Sequence, residues 1–498
     1  MLLGLDIGTS SCKTTILDEQ TGMVVATARY PLNYLYPDDV RAEIDAEGLW
    51  NSVTNVLKAL AQNNPHPCQA LKGMAVSIVF PTFVPLDKDN KPLHNAILYN
   101  DRRSQPQVQR LKRELGEKFL VEHLGNELVP GTSILPGICW YKEHCPELDK
   151  KTTTYATLGS FIIQRLTGSR GMDPAHASLS ALCPKGQEHA WSNTILEAAN
   201  ICQDQLPPVH EGLEIAGLLR EEVASETGLP RNLPVTWSNG DAPLAAFGAG
   251  IDLPGQVFAA CGSTDCIMVC ANKPSGNPLF CNIRHVVPNT WFANGTMSSA
   301  GASVKWLCED FLKCSFEEFL NEASAATPGS GGLLFLPYLL GERTPVWDAN
   351  ARGVFLGLSL TTSRGDAARA VLEGVAYAWK QILDLLERDL AIKLDEVVAA
   401  GGGATNHLWN QIKATLLGRP VVTLEFNDVG ALGACLAAGI STGVWRSTAD
   451  AFDATTKLRK PKRVDPVPQW TEPLLENYQR YLRLYPTVKP LFRTEIQP

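Results

Sequence analysis

The chain has 498 residues, 45% of them hydrophobic and 19% charged, which suits two or three domains with full cores and is too long for a lone binding module. That balance excludes disordered, collagen-like and low-complexity architectures. With 44 Lys and Arg against 52 Asp and Glu the net charge is -8, so no globally basic surface is available to a nucleic-acid partner.

Residues 2–17, LLGLDIGTSSCKTTIL, read as an apolar strand, a Gly-Thr-Ser-Ser turn and a β-branched strand, the pattern of a hairpin. MVVATARY supplies a third strand. From about Asp45 to Ala61 the apolar spacing through Leu49, Val53, Val56, Leu57 and Leu60 predicts a helix, and Leu71–Ile78 a further strand. The alternation continues to about residue 250 and predicts an α/β class. Near Gly255 the run GQVFAACGSTDCIMVC repeats the opening pattern of strand, Gly-Ser-Thr turn and strand. One copy opening each half of the chain predicts two related domains with a cleft between them, divided around Ala245 to Pro254, where GAGIDLPG carries linker punctuation. The boundaries expected are 1–248, 249–450 and a C-terminal extension over 451–498. In that extension KLRKPKRVDPVPQW reads as a solvated loop leading into a terminal helix.

No apolar run reaches the roughly 18 residues of a membrane span, and Asp6 interrupts the first apolar stretch with no basic flank before it, so neither a membrane helix nor a signal peptide is expected. The 13 cysteines are scattered through a long chain, which predicts free thiols and a cytoplasmic setting. Cys261, Cys266, Cys270 and Cys281 lack the paired spacing of a zinc site and read as small buried thiols.

There is no P-loop, no G-x-G-x-x-G after a strand and no H-E-x-x-H. The one G-x-S-x-G match, residues 439–443, follows the helix-like ALGACLAA instead of a strand and reads as a helix end. What remains are glycine turns with hydroxyl neighbours, Gly8-Thr9-Ser10 and Gly262-Ser263-Thr264. The backbone N–H groups of such turns make anion-binding concavities, although each is also an ordinary hairpin turn. A third cluster, Gly401-Gly402-Gly403, follows the strand EVVAA and precedes a helix through Leu408, Ile412 and Leu416, with Asn406 as its N-cap. Backbone without side chains there lets a flat ring approach closely. Two acids stand out by placement. Asp6 lies within an apolar strand, where a carboxylate serves a metal or a hydrogen-bond network, or bonds the adjacent turn. Asp241 closes LPVTWSNGD at a strand-to-helix junction, as a reactive acid or an N-cap.

These residues resemble the FGGY carbohydrate kinases, ATP-dependent sugar kinases built on two duplicated actin/ribonuclease-H-like domains. The resemblance runs from about residue 2 to residue 442. GLDIGTSSCKTTILD and CGSTDCIMV are similar to the two phosphate segments, PVTWSNGDA to the segment of the catalytic base, and VAAGGGATNHLWNQI to the adenosine segment. FLPYLLGERTPVWDANARGVFLGLSL and GALGACLAAG complete the order. The resemblance implies that Asp241 is the general base toward a sugar hydroxyl and that Asp6, with Asp241, holds Mg²⁺. It implies that Thr9, Ser10, Lys13 and Thr14 line the phosphate path from one side and Gly262, Ser263 and Thr264 from the other. Gly402, Gly403, Ala404 and Asn406 would face the adenosine.

The departures fall in the sugar half. Where xylulose kinases, the branch most similar in its GERTP and NARGVFLGL blocks, carry Gln-Met-His-Gly, this chain has Val79-Phe80-Pro81-Thr82. In LYNDRR, Tyr99 replaces a tryptophan while Asp101 and Arg103 are kept. Gly137 stands where the family's first signature has lysine. The substrate expected is a ketopentose such as xylulose, with Phe80 and Pro81 forming an apolar wall, Tyr99 packing on the sugar carbons, and Asp101, Arg103 and Asp241 supplying polar contacts. A gluconate or other polyol or sugar-acid kinase is the alternative within enzymes, and a non-catalytic actin-like ATP-binding protein the alternative outside them. The partners expected are a small sugar and ATP, without nucleic acid or membrane, and a homodimer is the assembly considered.

Overall fold

The computed structural model of the chain describes residues 1–492; positions 493–498, the end of the expected extension, lie outside the described residues. Two compact units result. The first gathers Met1–Asp252, Asn272–Phe292 and Asp428–Arg459, and the second gathers Leu253–Ala271, Ala293–Asn427 and the segment from Lys460 onward. Among the described residues no helix is long and apolar enough to cross a membrane.

The first unit is built on a seven-stranded sheet in the order Met23–Pro31, Ser11–Asp18, Leu2–Ile7, Gly73–Ile78, Pro234–Thr236, Ile215–Leu218, with Asn239–Gly240 also paired to Gly73–Ile78. Leu2–Ile7 is buried at every position, as a central strand covered on both faces must be. It runs antiparallel to Ser11–Asp18 and parallel to Gly73–Ile78. The helix Ala46–Asn63 starts where the Asp45 carboxylate accepts from Glu47 N, and it buries Leu49, Val53, Val56, Leu57 and Leu60 as their spacing predicts.

The second unit repeats this plan. Within a seven-stranded sheet its strands run Trp291–Met297, Asp265–Ala271, Val257–Cys261, Val397–Ala400, Val421–Leu424, Pro461–Val464. Again a central hairpin is followed by two parallel strands and one antiparallel strand. The duplication read from the two hairpins therefore extends to whole sheets. One expectation is corrected here: Pro461–Val464, read as solvated loop, is the edge strand of this sheet. Its exposure pattern, three exposed residues and a buried Val464, with Pro461 first and Lys462 and Arg463 outward, is how an edge strand is protected from further pairing.

The helix Val429–Ser441 belongs to the first unit although it follows nearly all of the second in sequence. Its run of Gly and Ala lets backbones approach. A Cβ on Gly4 would lie 2.3 Å from the Ala431 carbonyl oxygen, and one on Gly433 would lie 1.9 Å from that of Leu244. Side chains larger than hydrogen have no room there. The helix ends at Thr442, and Gly443 follows with φ +71, so the G-x-S-x-G match is a helix terminus as read.

A smaller four-stranded sheet in the same unit runs Glu43–Ile44, Ala96–Leu98, Thr82–Leu86, Thr154–Ala156. It positions the segments around residues 80 and 100 that the sequence singled out.

Candidate active site

In the first unit, Asp6 sits opposite Lys13 in the opening hairpin. It is 8% exposed, and Ser77 donates its hydroxyl to Oδ1 at 2.6 Å. Burial pushes its carboxyl above the usual carboxylate range, against the Ser77 hydrogen bond and the Lys13 charge. Lys13 in turn pairs with Asp428 at 2.9 Å, just before the helix Val429–Ser441. That helix also brings Gly430 beside the Asp6 carboxylate: a Cβ there would lie 3.3 Å from Oδ1.

Asp241 is the first residue of the helix Asp241–Gly248. The N-cap is Gly240, so the bland reading of Asp241 as a cap does not hold; its Oδ1 accepts from Ala242 N at 2.8 Å. Burial and then the neighbouring Asp6 charge push its carboxyl up to about 7. The Asp6 charge thus acts on Asp241 across Gly73–Ile78, the strand that pairs with both Leu2–Ile7 and Asn239–Gly240. Tyr34 joins them: its hydroxyl donates to the Gly8 carbonyl at 2.8 Å, and burial, then Asp241, push it well up from the ordinary tyrosine value. Neither Tyr34 nor Asp428 carries a signal in the sequence, because only the fold brings them to this place.

Thr9 and Ser10 are exposed at the hairpin turn and Lys13 is half-buried. Thr14 is different. It is 0% exposed and its Oγ1 donates to the Ala28 carbonyl at 3.4 Å, because alternate residues of a strand face opposite sides and Lys13 holds the side toward Asp428. The structure thus places the Thr14 side chain on the opposite side of the strand from Lys13.

On the expected sugar side, a Cβ on Gly240 would meet the Phe80 ring at 2.6 Å, so Phe80 packs on the peptide that precedes Asp241. Phe80 and Pro81 are buried, and Tyr99 is 36% exposed. Phe80 also meets His176 edge-on with ring centroids 5.5 Å apart, and His176 Nδ1 donates to Asp173 Oδ2 at 2.6 Å. Asp101 is 1% exposed. Its oxygens accept from Ala42 N, from Arg103 N and from the Arg103 guanidinium at 2.7–3.0 Å. Arg103 also reaches Glu43 at 2.6 Å and lies 4.7 Å over the Trp140 ring. Asp101 therefore orients Arg103 and its loop, and its acceptor capacity is filled from within the protein.

In the second unit, Gly262, Ser263 and Thr264 are exposed at the tip of the hairpin. Gly262 N donates to Asp265 Oδ1 at 3.1 Å, and Ala300, Gly301 and Ala302 donate their amides to the carbonyls of Ser263 and Gly262. Gly401 adopts φ +102 with its α-carbon against the Cys261 carbonyl, where a Cβ would lie 2.3 Å away, so only glycine fits. A Cβ on Gly402, in contrast, meets nothing within 4 Å. Ala404 is buried and Asn406 caps the helix His407–Leu417 by accepting from Trp409 N at 2.8 Å. Cys261 and Cys270 are buried as read, whereas Cys266 and Cys281 are half-buried, and all 13 cysteines are thiols outside any disulfide.

Among the described residues no group of three or more His, Cys, Asp or Glu is placed to hold a metal by protein ligands alone. Asp6 and Asp241 nonetheless form an all-oxygen pair of the kind that suits a hard cation with water and substrate oxygens completing its shell.

Comparison with known proteins agrees along the whole length. Residues 1–248 match the N-terminal domain of the FGGY family of carbohydrate kinases, and residues 257–442 match its C-terminal domain. The chain is 31% identical over 506 residues to a xylulose kinase of Bacillus subtilis, covering 99% of this chain and 96% of that one. The crystal structure of a xylulose kinase from Rhodospirillum rubrum superposes with a TM-score of 0.91 at 28% identity, covering 99% of both chains. A gluconate kinase from Lactobacillus acidophilus shares the fold, with a TM-score of 0.90 at 22% identity over 98% of this chain and 97% of that one.

Proposed function

The chain belongs to the FGGY family of carbohydrate kinases, and on that premise we propose that it transfers the γ-phosphoryl group of ATP to a hydroxyl of a ketopentose of the xylulose type. The observation that carries the chemistry is Asp241, an acid whose carboxyl is pushed up to about 7 beside a second acid, Asp6. A base works best with a pKa near the operating pH, and phosphoryl transfer asks the protein mainly for positioning and charge stabilisation. Asp241 takes the proton of the attacking hydroxyl at a carboxylate oxygen. Asp6 and Asp241 would hold Mg²⁺ through their oxygens, and that ion, when bound, neutralises charge on the phosphoryl oxygens. Thr9, Ser10 and Lys13 contact the phosphates from the first unit. Gly262, Ser263 and Thr264 are likewise assigned to phosphate, and Gly402, Gly403, Ala404 and Asn406 to the adenosine. We assign residues 1–248 to the sugar and the base, and 249–450 to ATP.

The ketopentose rests on the xylulose kinases among the relatives. Phe80 and Pro81 offer the sugar a hydrocarbon wall, Tyr99 covers its carbons, and Arg103, held by Asp101 and Glu43, faces its oxygens. Because this wall lacks donors, discrimination against a missing or inverted hydroxyl is weak. A coupled ADP-release screen over D- and L-xylulose, D- and L-ribulose, their alditols, gluconate and glycerol tests the reading. Highest kcat/KM is expected on a pentulose, with tolerance among pentuloses and pentitols. Turnover confined to gluconate or to glycerol rejects the ketopentose, and ADP release independent of every sugar rejects the kinase. We place the enzyme in the cytoplasm, as its free thiols suggest, and infer a homodimer, which size-exclusion chromatography with light scattering tests.

Gly402→Val separates the nucleotide side from folding. The added side chain enters open space, so stability should change little while the KM for ATP rises at least about tenfold, as a misfit of a methyl group or two in a shaped pocket does. Calorimetry with ATP and with the sugar separately checks it. Equal losses for both ligands would withdraw the adenosine assignment.

A further inference from the structure

Lys413 lies on the helix His407–Leu417 and is 0% exposed. Its ammonium has no hydrogen-bond partner. It sits 3.8 Å from the centroid of the Trp379 ring and 4.2 Å from that of Trp409, and 3.9 Å from Asp265 Oδ2. Two indole faces and one carboxylate are what offset its burial. A methionine would fill the same volume without a charge to bury, so packing alone does not account for a lysine here.

The charge has a task at Asp265, which is 1% exposed. One of its oxygens accepts from Gly262 N at 3.1 Å and the other from Trp379 Nε1 at 2.8 Å. Both partners are donors, so a protonated Asp265 would set a third donor against one of them. Burial favours that protonated form, and the Lys413 charge opposes it. The same lysine touches the second loop through Trp409. The Trp409 backbone N–H is held by Asn406, a Cβ on Gly403 would lie 3.5 Å from its ring, and the next residue, Asn410, donates to the Ala404 carbonyl at 2.7 Å.

We propose that Lys413 is a positioning residue for ATP: its buried charge keeps Asp265 an acceptor for the Gly262 amide while its wedge between Trp379 and Trp409 ties the Gly262–Thr264 turn to the Gly402–Asn406 loop. The inference rests on the reading of those two loops as the nucleotide side.

The test is steady-state kinetics on the full chain for Lys413→Met, Asp265→Asn and the double variant, with Gly402→Val alongside. KM for ATP and KM for the best acceptor of the sugar screen are measured separately. Each single variant should raise the KM for ATP by about tenfold to a hundredfold, the effect of leaving a charge-assisted network one member short, and leave the KM for the acceptor within about twofold. The double variant should be no worse than the worse single one, since both act on one network. It also removes both buried charges and so folds where Lys413→Met alone fails. A wild-type KM for ATP in the double variant or in Lys413→Met, or equal rises for both substrates, overturns the inference. If Gly402→Val leaves ATP binding intact while Lys413→Met weakens it, the adenosine assignment falls and with it the tie to the Gly402–Asn406 loop, while the action of Lys413 on Asp265 and the Gly262 amide stands.

Discussion

Asp241→Asn is expected to lower kcat for sugar phosphorylation by about 10²–10⁴-fold, the usual contribution of a general base, with ATP affinity within a few-fold of wild type. The substitution is nearly isosteric, and an asparagine oxygen can still accept from Ala242 N as Oδ1 does. No side chain caps this helix at its N-cap, Gly240, so the local fold should survive. What disappears is the ability to take a proton. Retention of more than a tenth of the wild-type kcat would remove Asp241 from that role.

Stability gives a second reading of the same variant. In the folded protein the Asp241 carboxyl is pushed up to about 7, first by burial and then by Asp6. The folded state therefore binds a proton more tightly than the unfolded chain. Its relative stability is full below the ordinary carboxylate value near 4 and is lost as pH rises through about 7. Asp241→Asn carries no such penalty. Without nucleotide or metal it should be more stable than wild type at pH 8, and the gain should shrink on acidification. Equal stabilities at pH 8 would show that the Asp241 charge is well solvated. Loss of activity together with a gain in stability is the pattern of a residue held in place for chemistry.

The sequence made Asp6, Asp241 and the glycine turns visible because each breaks a local rule. An acid within an apolar strand and an acid at a strand-to-helix junction are costly without a task, and paired glycine turns opening each half of the chain point to duplication. The remainder depends on contacts between distant residues. Asp428 reaches Lys13 across 415 positions only because Val429–Ser441 returns to the first sheet, and Tyr34 is near Asp241 only once a loop is placed. The misreading of Pro461–Val464 arose from charge, since an edge strand and a solvated loop carry the same lysines and arginines. A motif names Lys13 and Thr14 together, whereas the alternation of the strand sends the two side chains to opposite sides. Lys413 is silent for a related reason: on a helix a buried lysine and an exposed one look alike until the two tryptophans are in place.

Arg103→Leu is expected to destabilise the first unit by about 3–5 kcal/mol at pH 7.5, the range found when one partner of a buried ion pair is removed. Arg103 is 8% exposed and answers two carboxylates, Glu43 and Asp101, with exposures of 6% and 1%. Leucine fills part of the space over Trp140 but leaves both acids without a counter-charge. The pH dependence identifies the cause. In the wild type, burial pushes the Glu43 carboxyl up, but Asn95, the Arg103 hydrogen bond and the Arg103 charge outweigh it and hold the group below the usual range. That stabilisation is present above the ordinary glutamate value near 4.5 and is lost as pH falls through the lower folded value. In the variant only the Asn95 hydrogen bond and the His94 charge still oppose burial at Glu43, so its folded carboxyl rises and takes up a proton more readily than in the wild type, and acidification toward pH 5 should recover part of the loss. Urea unfolding of both proteins at pH 7.5 and pH 5 measures the gap. A gap that narrows at pH 5 assigns the loss to uncompensated buried charge, and one that stays constant assigns it to the packing of the guanidinium over Trp140. Since the Tyr99–Arg103 loop is anchored through this pair, the variant should also raise the KM for the sugar and leave that for ATP unchanged, which the same preparations can test at pH 7.5.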